Sequence, residues 1–176
     1  PDEADDEQPG EREARRRFVR ANVRQYPDPA LRLKTRDVTE FDEALATLVE
    51  RMTQVMVGSQ GVGLAAPQVG VLQRVLVYQP DEETEPTALV NARVVEASEE
   101  TDVMEEGCLS LDAAGLTVEV ARPTAVTVEA RSPRGDELRL DETGVPLQCG
   151  IKLHPGWRGL AAKRLEAAEE ILRNLA

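Results

Sequence analysis

The chain has 176 residues, 41% of them hydrophobic, which is enough for one domain with its own core. Its formal charge is −12, from 33 acidic and 21 basic residues. This balance argues against a nucleic-acid-binding face as the main function, and no DNA partner is expected. The sequence contains no apolar run of membrane-spanning length, no signal-peptide pattern, and only two cysteines, so we expect a cytoplasmic, reduced protein without a membrane partner.

The first 20 residues carry two opposite charge runs. Residues 1–10 are acidic and almost without apolar side chains, which is typical of disorder. The following ten are basic and include three consecutive arginines; such a run could contact ribosomal RNA, although the solvated face of a short helix or arm is commoner. We therefore expect a disordered extension over residues 1–20 and a single domain over residues 21–176.

An amphipathic helix is predicted from Glu40 to about Val57. Thr39 can cap its first turn, and Gly58 ends it. Its apolar residues recur at spacings of three and four, which places them on one face: Leu45, Leu48, Val49, Met52, Val55 and Met56.

The middle of the chain is rich in β-branched residues and predicts several strands. Their expected ranges are 71–78, 88–95, 116–120, 125–131 and 137–140. Pro-Arg-Gly-Asp at residues 133–136 predicts a hairpin turn between the last two. The pattern weakens after residue 144, and an apolar face over residues 161–176 then predicts a C-terminal helix. The predicted fold class is α+β, a small antiparallel strand-rich body packed around a helix.

Two stretches carry the candidate chemistry. The first, Gly-Val-Gly-Leu-Ala-Ala-Pro-Gln, offers closely approachable backbone at Gly61 and Gly63 and one amide, Gln68. It could form a wall of a small-substrate cleft, although alone it is more simply a tight turn into a buried strand. The second, Glu-Gly-Cys-Leu-Ser, places Cys108 between a glycine and an apolar residue. A thiol-based reaction is disfavoured, because the adjacent Glu105 and Glu106 oppose formation of a thiolate.

Together these stretches resemble the first two signature motifs of peptide deformylases, metal hydrolases that remove the N-terminal formyl group from new bacterial polypeptides. Residues 61–68 match Gly-apolar-Gly-apolar-Ala-Ala-x-Gln, and residues 106–110 match Glu-Gly-Cys-Leu-Ser. The resemblance runs from about Val23 to Gly144, and its further matches are Tyr26-Pro27-Asp28-Pro29, Val90-Asn91 and Arg122-Pro123.

The resemblance implies where a metal and a formyl peptide would bind. Cys108 would be a metal ligand, and Gln68 with the backbone N–H of Leu109 would stabilise the oxyanion. The metal would be Fe²⁺ or another divalent ion such as Zn²⁺ or Ni²⁺. The expected partner is a formyl-methionyl peptide or nascent chain, a contact with the ribosome is conceivable, and the chain would be a monomer. The peptide would lie extended against a set of further residues: Gly61, Val62, Gly63, Glu106 and Gly107.

One expected motif is missing from the sequence. The third motif, His-Glu-x-x-His on a helix near the C-terminus, would supply two imidazole ligands and a general base. The whole chain has one histidine, His154, and in the ungapped register Leu153 and Trp157 fall near the two histidine positions. His154 could be a single ligand beside Cys108, although Pro-Gly directly after it makes a loop histidine without a role the commoner interpretation.

Two explanations of this departure stay open. The chain is either a deformylase relative that lost its metal site and kept the cleft, or residues 144–159 are scrambled by a reading-frame slip or by a small insertion and deletion. Cys149 as a substitute ligand is less favoured. As the sequence stands, we expect very low or no deformylase activity and allow that the chain holds no metal. The alternative function is a non-catalytic module that binds formyl-methionyl peptides without turnover.

Overall fold

The computed structural model describes residues 9–80, 83–114 and 117–143. Its helices and strands are α1 (Pro9–Asn22), α2 (Glu43–Gly58), β1 (Gly63–Ala65), β2 (Val75–Tyr78), β3 (Thr87–Ala97), β4 (Thr101–Glu106), β5 (Val118–Pro123), β6 (Ala125–Arg131) and β7 (Glu137–Thr143). Short 3₁₀ helices cover Pro29–Leu31, Ala66–Val69 and Leu109–Ala114. In these ranges no helix has the length and apolarity needed to cross a membrane. The predicted helix over residues 161–176 lies outside the described residues.

The strands form two antiparallel sheets, which confirms the predicted α+β class. One sheet has five strands in the order β1-β2-β3-β6-β7, and the other pairs β4 with β5. The strand predicted from residue 71 begins only at Val75, because the chain before it pairs elsewhere. Arg36 donates its N–H to the Leu72 carbonyl at 2.9 Å and accepts from the Arg74 N–H at 2.8 Å.

Helix α2 starts later than predicted. Asp42 has extended backbone and its carboxylate accepts from the Leu45 N–H at 3.0 Å, so Asp42 is the N-cap and not Thr39. The predicted start at Glu40 and the Thr39 cap are therefore wrong. The carboxylate satisfies a donor of the first turn that the helix itself leaves unpaired.

Two apolar clusters lie on opposite faces of the five-stranded sheet. Val75 and Val77 of β2 pack with α2 in the first cluster, whereas Leu76 between them packs with Leu89 in the second. This division follows from the alternation of side chains along a strand. The first cluster also contains Leu64, Ala66 and Val69, so the glycine-rich motif is fixed against α2.

Helix α1 extends the first cluster towards the N-terminus. Val19 is fully buried and Val23 is 3% exposed, and both belong to that cluster. Residues 9–20 of the predicted disordered extension are therefore helical in the structure, because burial of these two valines favours an ordered helix. Residues 1–8 lie outside the described part of the chain.

Candidate active site

The glycine-rich motif forms the edge of the five-stranded sheet and then a tight turn. Gly63 to Ala65 pair with β2 as strand β1, and the 3₁₀ helix Ala66–Val69 follows directly. Gly70 has a φ of 83°, a left-handed conformation that suits glycine, and closes this helix. The turn brings the Gln68 side chain back to β1, where its Oε1 accepts from the Ala65 N–H at 2.9 Å.

The Gln68 amide joins the two motifs. Its Nε2 donates to Ser110 Oγ at 3.1 Å and lies 4.0 Å from Cys108 Sγ. Because the Ala65 N–H can only donate, the amide oxygen must face it, and Nε2 must face the cysteine segment. One N–H is used by Ser110, and the other has only the distant sulfur, so it can reach a ligand oxygen. Gln68 and Ser110 are 7% and 5% exposed, which holds both side chains in place.

The backbone around Cys108 is also fixed. Leu109 is the first residue of the 3₁₀ helix Leu109–Ala114, so its N–H has no acceptor within that helix. The carbonyl of the same peptide unit, that of Cys108, accepts from the Leu111 N–H at 2.8 Å. The peptide plane that carries the Leu109 N–H is therefore oriented by a hydrogen bond.

Close approach of the two motifs depends on Gly61. A Cβ at Gly61 would lie 2.7 Å from Leu109 Cδ1, a distance that real contacts avoid. A Cβ at Gly107 would meet nothing closer than Thr117 Cγ2 at 3.9 Å. Val62 is 40% exposed, and its carbonyl accepts from the Gln79 N–H at 3.0 Å. A side chain at Gly61 would therefore force the Leu109 side chain to move, whereas one at Gly107 would not meet a close neighbour.

Glu106 anchors the cysteine segment through a buried ion pair. Arg122 of β5 donates from Nε to Glu106 Oε1 at 2.7 Å and from a terminal nitrogen to Oε2 at 2.9 Å. The Glu106 side chain is 1% exposed and that of Arg122 is 14% exposed. Such a bidentate pair is strong and directional. Sequence reasoning gave Arg122 no role in the site. The only sequence feature that pointed to Arg122 was the match of Arg122-Pro123 to the family pattern.

A third segment, residues 24–26, connects both motifs and was missed at the sequence level. The Arg24 N–H donates to the Gln68 carbonyl at 2.7 Å, and the Tyr26 N–H donates to the Ser110 carbonyl at 2.9 Å. Between them, Gln25 Nε2 donates to the Leu109 carbonyl at 2.9 Å. No local pattern marks Gln25, because its partner is 84 residues away.

The described residues do not by themselves fit the divalent metal that the family resemblance implies. Cys108 is a free, half-buried thiol, and Glu106 has both carboxylate oxygens on Arg122. Over residues 9–80, 83–114 and 117–143, no three His, Cys, Asp or Glu side chains come together as a metal site would require. His154 and Cys149 lie outside the described residues.

Comparison with known proteins identifies the family. A family model described as polypeptide deformylase matches residues 20–150. The peptide deformylase of Thermotoga neapolitana is 44% identical over 124 residues, covering 70% of this chain and 73% of that protein. Peptide deformylase 1B, chloroplastic/mitochondrial, of Arabidopsis thaliana is 37% identical over 125 residues, covering 69% of this chain and 45% of that protein.

Solved structures agree with this relationship. The crystal structure of peptide deformylase from Thermotoga maritima superposes with a TM-score of 0.66 and 39% identity, covering 70% of this chain and 81% of that chain. The fold is that of the deformylase class of hydrolases. The chain belongs to the peptide deformylase family, which confirms the resemblance found in its sequence.

Proposed function

We propose that the chain binds the formyl-methionyl end of nascent polypeptides between residues 61–68 and 106–110, and hydrolyses the formyl group very slowly or not at all. The observation that carries the proposal is the position of Gln68. Its amide is buried, oriented by Ala65 and held beside Cys108. A polar group oriented in advance in this way can stabilise a carbonyl oxygen without further reorganisation.

The binding mode follows from the edge of the sheet. Strand β1 pairs with β2 and is the first strand in the order of the described sheet. An extended peptide can add to such an edge through main-chain hydrogen bonds. Its formyl oxygen would then face the Gln68 amide and the Leu109 N–H, and Val62 would line the rim.

The expected loss of rate follows from the sequence. The single histidine of the chain cannot supply two imidazole ligands, and no glutamate stands at the general-base position of the third motif. Loss of general acid–base catalysis alone lowers a rate by about 10²–10⁴-fold. Weak binding of Fe²⁺, Zn²⁺ or Ni²⁺ would lower it further.

Peptide binding is tested by calorimetric titration with a formyl-methionyl peptide and its acetyl-methionyl analogue. We expect Gln68→Ala to weaken binding of the formyl peptide by about tenfold, because one hydrogen bond of about 1.4 kcal/mol is lost. The matched control is Gln54→Ala, since Gln54 is an exposed residue of α2 whose amide contacts only Glu50. Equal weakening by both substitutions, or no binding to the wild-type chain, would refute the peptide-binding proposal.

The low-activity part is tested separately by metal content and turnover. The full chain is loaded anaerobically with Fe²⁺, and metal per chain and release of formate are measured together. We expect less than stoichiometric metal and no formate above a sample without protein. Stoichiometric metal that disappears in Cys108→Ala, together with formate release, would show an active enzyme and overturn this part of the proposal.

A further inference from the structure

Helix α1 carries an arginine-rich face on an otherwise acidic protein. It contains five arginines and two glutamates, which give it a net charge of +3. The whole chain has a charge of −12, so the residues outside α1 sum to −15. Arg16, Arg17 and Arg20 are all exposed. Residues three and four apart lie on one side of a helix, so these three arginines form a continuous patch, here called the arginine face.

The arginine face is available to a partner. Among residues 9–80, 83–114 and 117–143, none of its three arginines makes an ion pair. Glu13 is also exposed and lies one turn earlier on the same side, so it opposes part of the positive charge. The patch therefore keeps a net positive charge and has no acid partner in the described part of the chain.

The arginine face is held at a fixed place beside the candidate active site. Helix α1 packs against α2 and against the 3₁₀ helix that starts at Leu109. Immediately after α1, the Arg24 N–H binds the Gln68 carbonyl and the Tyr26 N–H binds the Ser110 carbonyl. Most of α1 also precedes the family match, which starts at residue 20. The helix thus lies mostly before the matched residues and places cations next to the cleft.

We propose that the arginine face docks onto the phosphate backbone of a structured RNA. Guanidinium groups bind phosphate oxygens bidentately and release counterions, and this supplies affinity without sequence preference. The choice of RNA over other polyphosphates rests on the proposed function, since nascent chains emerge beside RNA. The interaction itself needs neither turnover nor peptide binding.

A membrane surface fits the same face less well. A helix that lies on a lipid surface needs an exposed apolar side next to its cations. Two apolar residues lie between the arginines of α1, and one of them, Val19, is fully buried in the core. Phe18 is 39% exposed, and part of its ring packs against Gly58 of α2. Phe18 is thus the one large apolar side chain of α1 that is exposed among residues 10–22, which is less than the continuous apolar side that a lipid-bound helix needs.

The test is fluorescence anisotropy with a labelled RNA duplex of about 16 base pairs, a length that spans two successive minor grooves. Titrations between about 50 and about 200 mM salt should give a slope of log affinity against log salt of about −2 to −3, as expected for three phosphate contacts. The triple variant Arg16→Glu, Arg17→Glu and Arg20→Glu should lose at least about tenfold in affinity and most of this slope. Glu13→Gln should bind more tightly than the wild type, because it removes the opposing charge.

The matched control reverses three exposed basic residues elsewhere: Lys34→Glu, Arg51→Glu and Arg134→Glu. It changes the formal charge by the same amount and should bind within about twofold of the wild type. Circular dichroism shows whether each variant is folded. Equal loss in both triple variants would mean that net charge alone decides binding, and would overturn the proposal.

Two further arms separate the remaining outcomes. Vesicles of phosphatidylcholine and phosphatidylserine replace the RNA; binding to vesicles but not to RNA would overturn the proposal in favour of lipid. Gln68→Ala should bind RNA as the wild type does. If Gln68→Ala still binds RNA but no longer binds the formyl peptide, the arginine face acts independently of the cleft.

Discussion

The candidate cleft and the β6–β7 hairpin are built from different kinds of contact. In the cleft, Gln68 bonds to a side chain 42 residues away, and Gln25 to a carbonyl 84 residues away. In the hairpin, Ser132 bonds to Asp136 four residues on, and Arg139 to Glu129 ten residues back. The cleft contacts are buried or half-buried, whereas those of the hairpin are exposed.

This difference teaches which contacts the function depends on. A buried polar group that loses its partner is left without a hydrogen bond and away from water, which lowers the stability of the fold. An exposed group that loses its partner forms hydrogen bonds with water instead. The geometry at Gln68 and Cys108 is therefore stable only while the whole fold is intact. Because the hairpin contacts are exposed, we expect that losing one of them leaves the cleft unchanged.

The largest effect is expected from breaking the buried ion pair. Arg122→Met should lower the free energy of unfolding by about 3–5 kcal/mol, because it leaves the Glu106 carboxylate buried without its cation. Arg139→Met in the hairpin, where the side chain is 51% exposed, should cost less than about 1 kcal/mol. Denaturant unfolding followed by circular dichroism measures both.

A second variant tests the cause of that loss. Glu106→Gln combined with Arg122→Met removes the buried negative charge and should recover part of the stability lost in Arg122→Met alone. Similar losses for Arg122→Met and Arg139→Met would mean that burial does not separate the two regions.

A smaller effect is expected at the contact between the two motifs. Gly61→Ala should cost about 1–3 kcal/mol of stability through overpacking against Leu109. Adding Leu109→Ala should recover part of this cost, since it removes the atoms in conflict. Thermal unfolding of the two single variants and the double variant forms the cycle that measures the coupling.

The hairpin supplies the contrasting glycine. Gly135 has a φ of 91°, so Gly135→Ala should cost about 1–2 kcal/mol from local backbone strain. Its added Cβ would lie 3.4 Å from Phe41 Cγ, an ordinary contact, so Phe41→Ala should give no rescue. If Phe41→Ala rescued Gly135→Ala, the cost at Gly135 would come from a long-range contact and not from local strain. If Leu109→Ala failed to rescue Gly61→Ala, the cost at Gly61 would not come from its contact with Leu109.

The smallest effect is expected from a local contact on the cleft side. Asp42→Ala removes the N-cap of α2 and should cost about 1 kcal/mol. Thr39→Ala, at the position that the sequence indicated, should change the stability by less than about 0.5 kcal/mol, because Thr39 is exposed and lies outside the helix. The two variants are compared by their denaturant unfolding midpoints, provided that the free energy of unfolding depends on denaturant concentration with the same slope in both. An equal change in both midpoints would contradict the observed cap.

Much of the local structure could be predicted because its cause is local. The periodic apolar residues of α2, the strand Ala125–Arg131 and the turn at residues 133–136 depend on spacing and on turn residues within a short window. The predicted start of α2, Glu40, lies three residues before the observed start, Glu43. Thr39 and Asp42 are both good caps by residue type, and only packing of the helix selects between them.

The two motifs by themselves determined the family and named Gln68 and Cys108 as candidate site residues, since both lie inside uninterrupted matches. Only the tertiary structure decided that Gln68 is held by Ser110, that Arg122 neutralises Glu106, and that residues 24–26 join the motifs. These partners are far apart in the chain, and no periodicity or turn signal connects them. They come together because burial of the apolar clusters fixes the strands and loops that carry them.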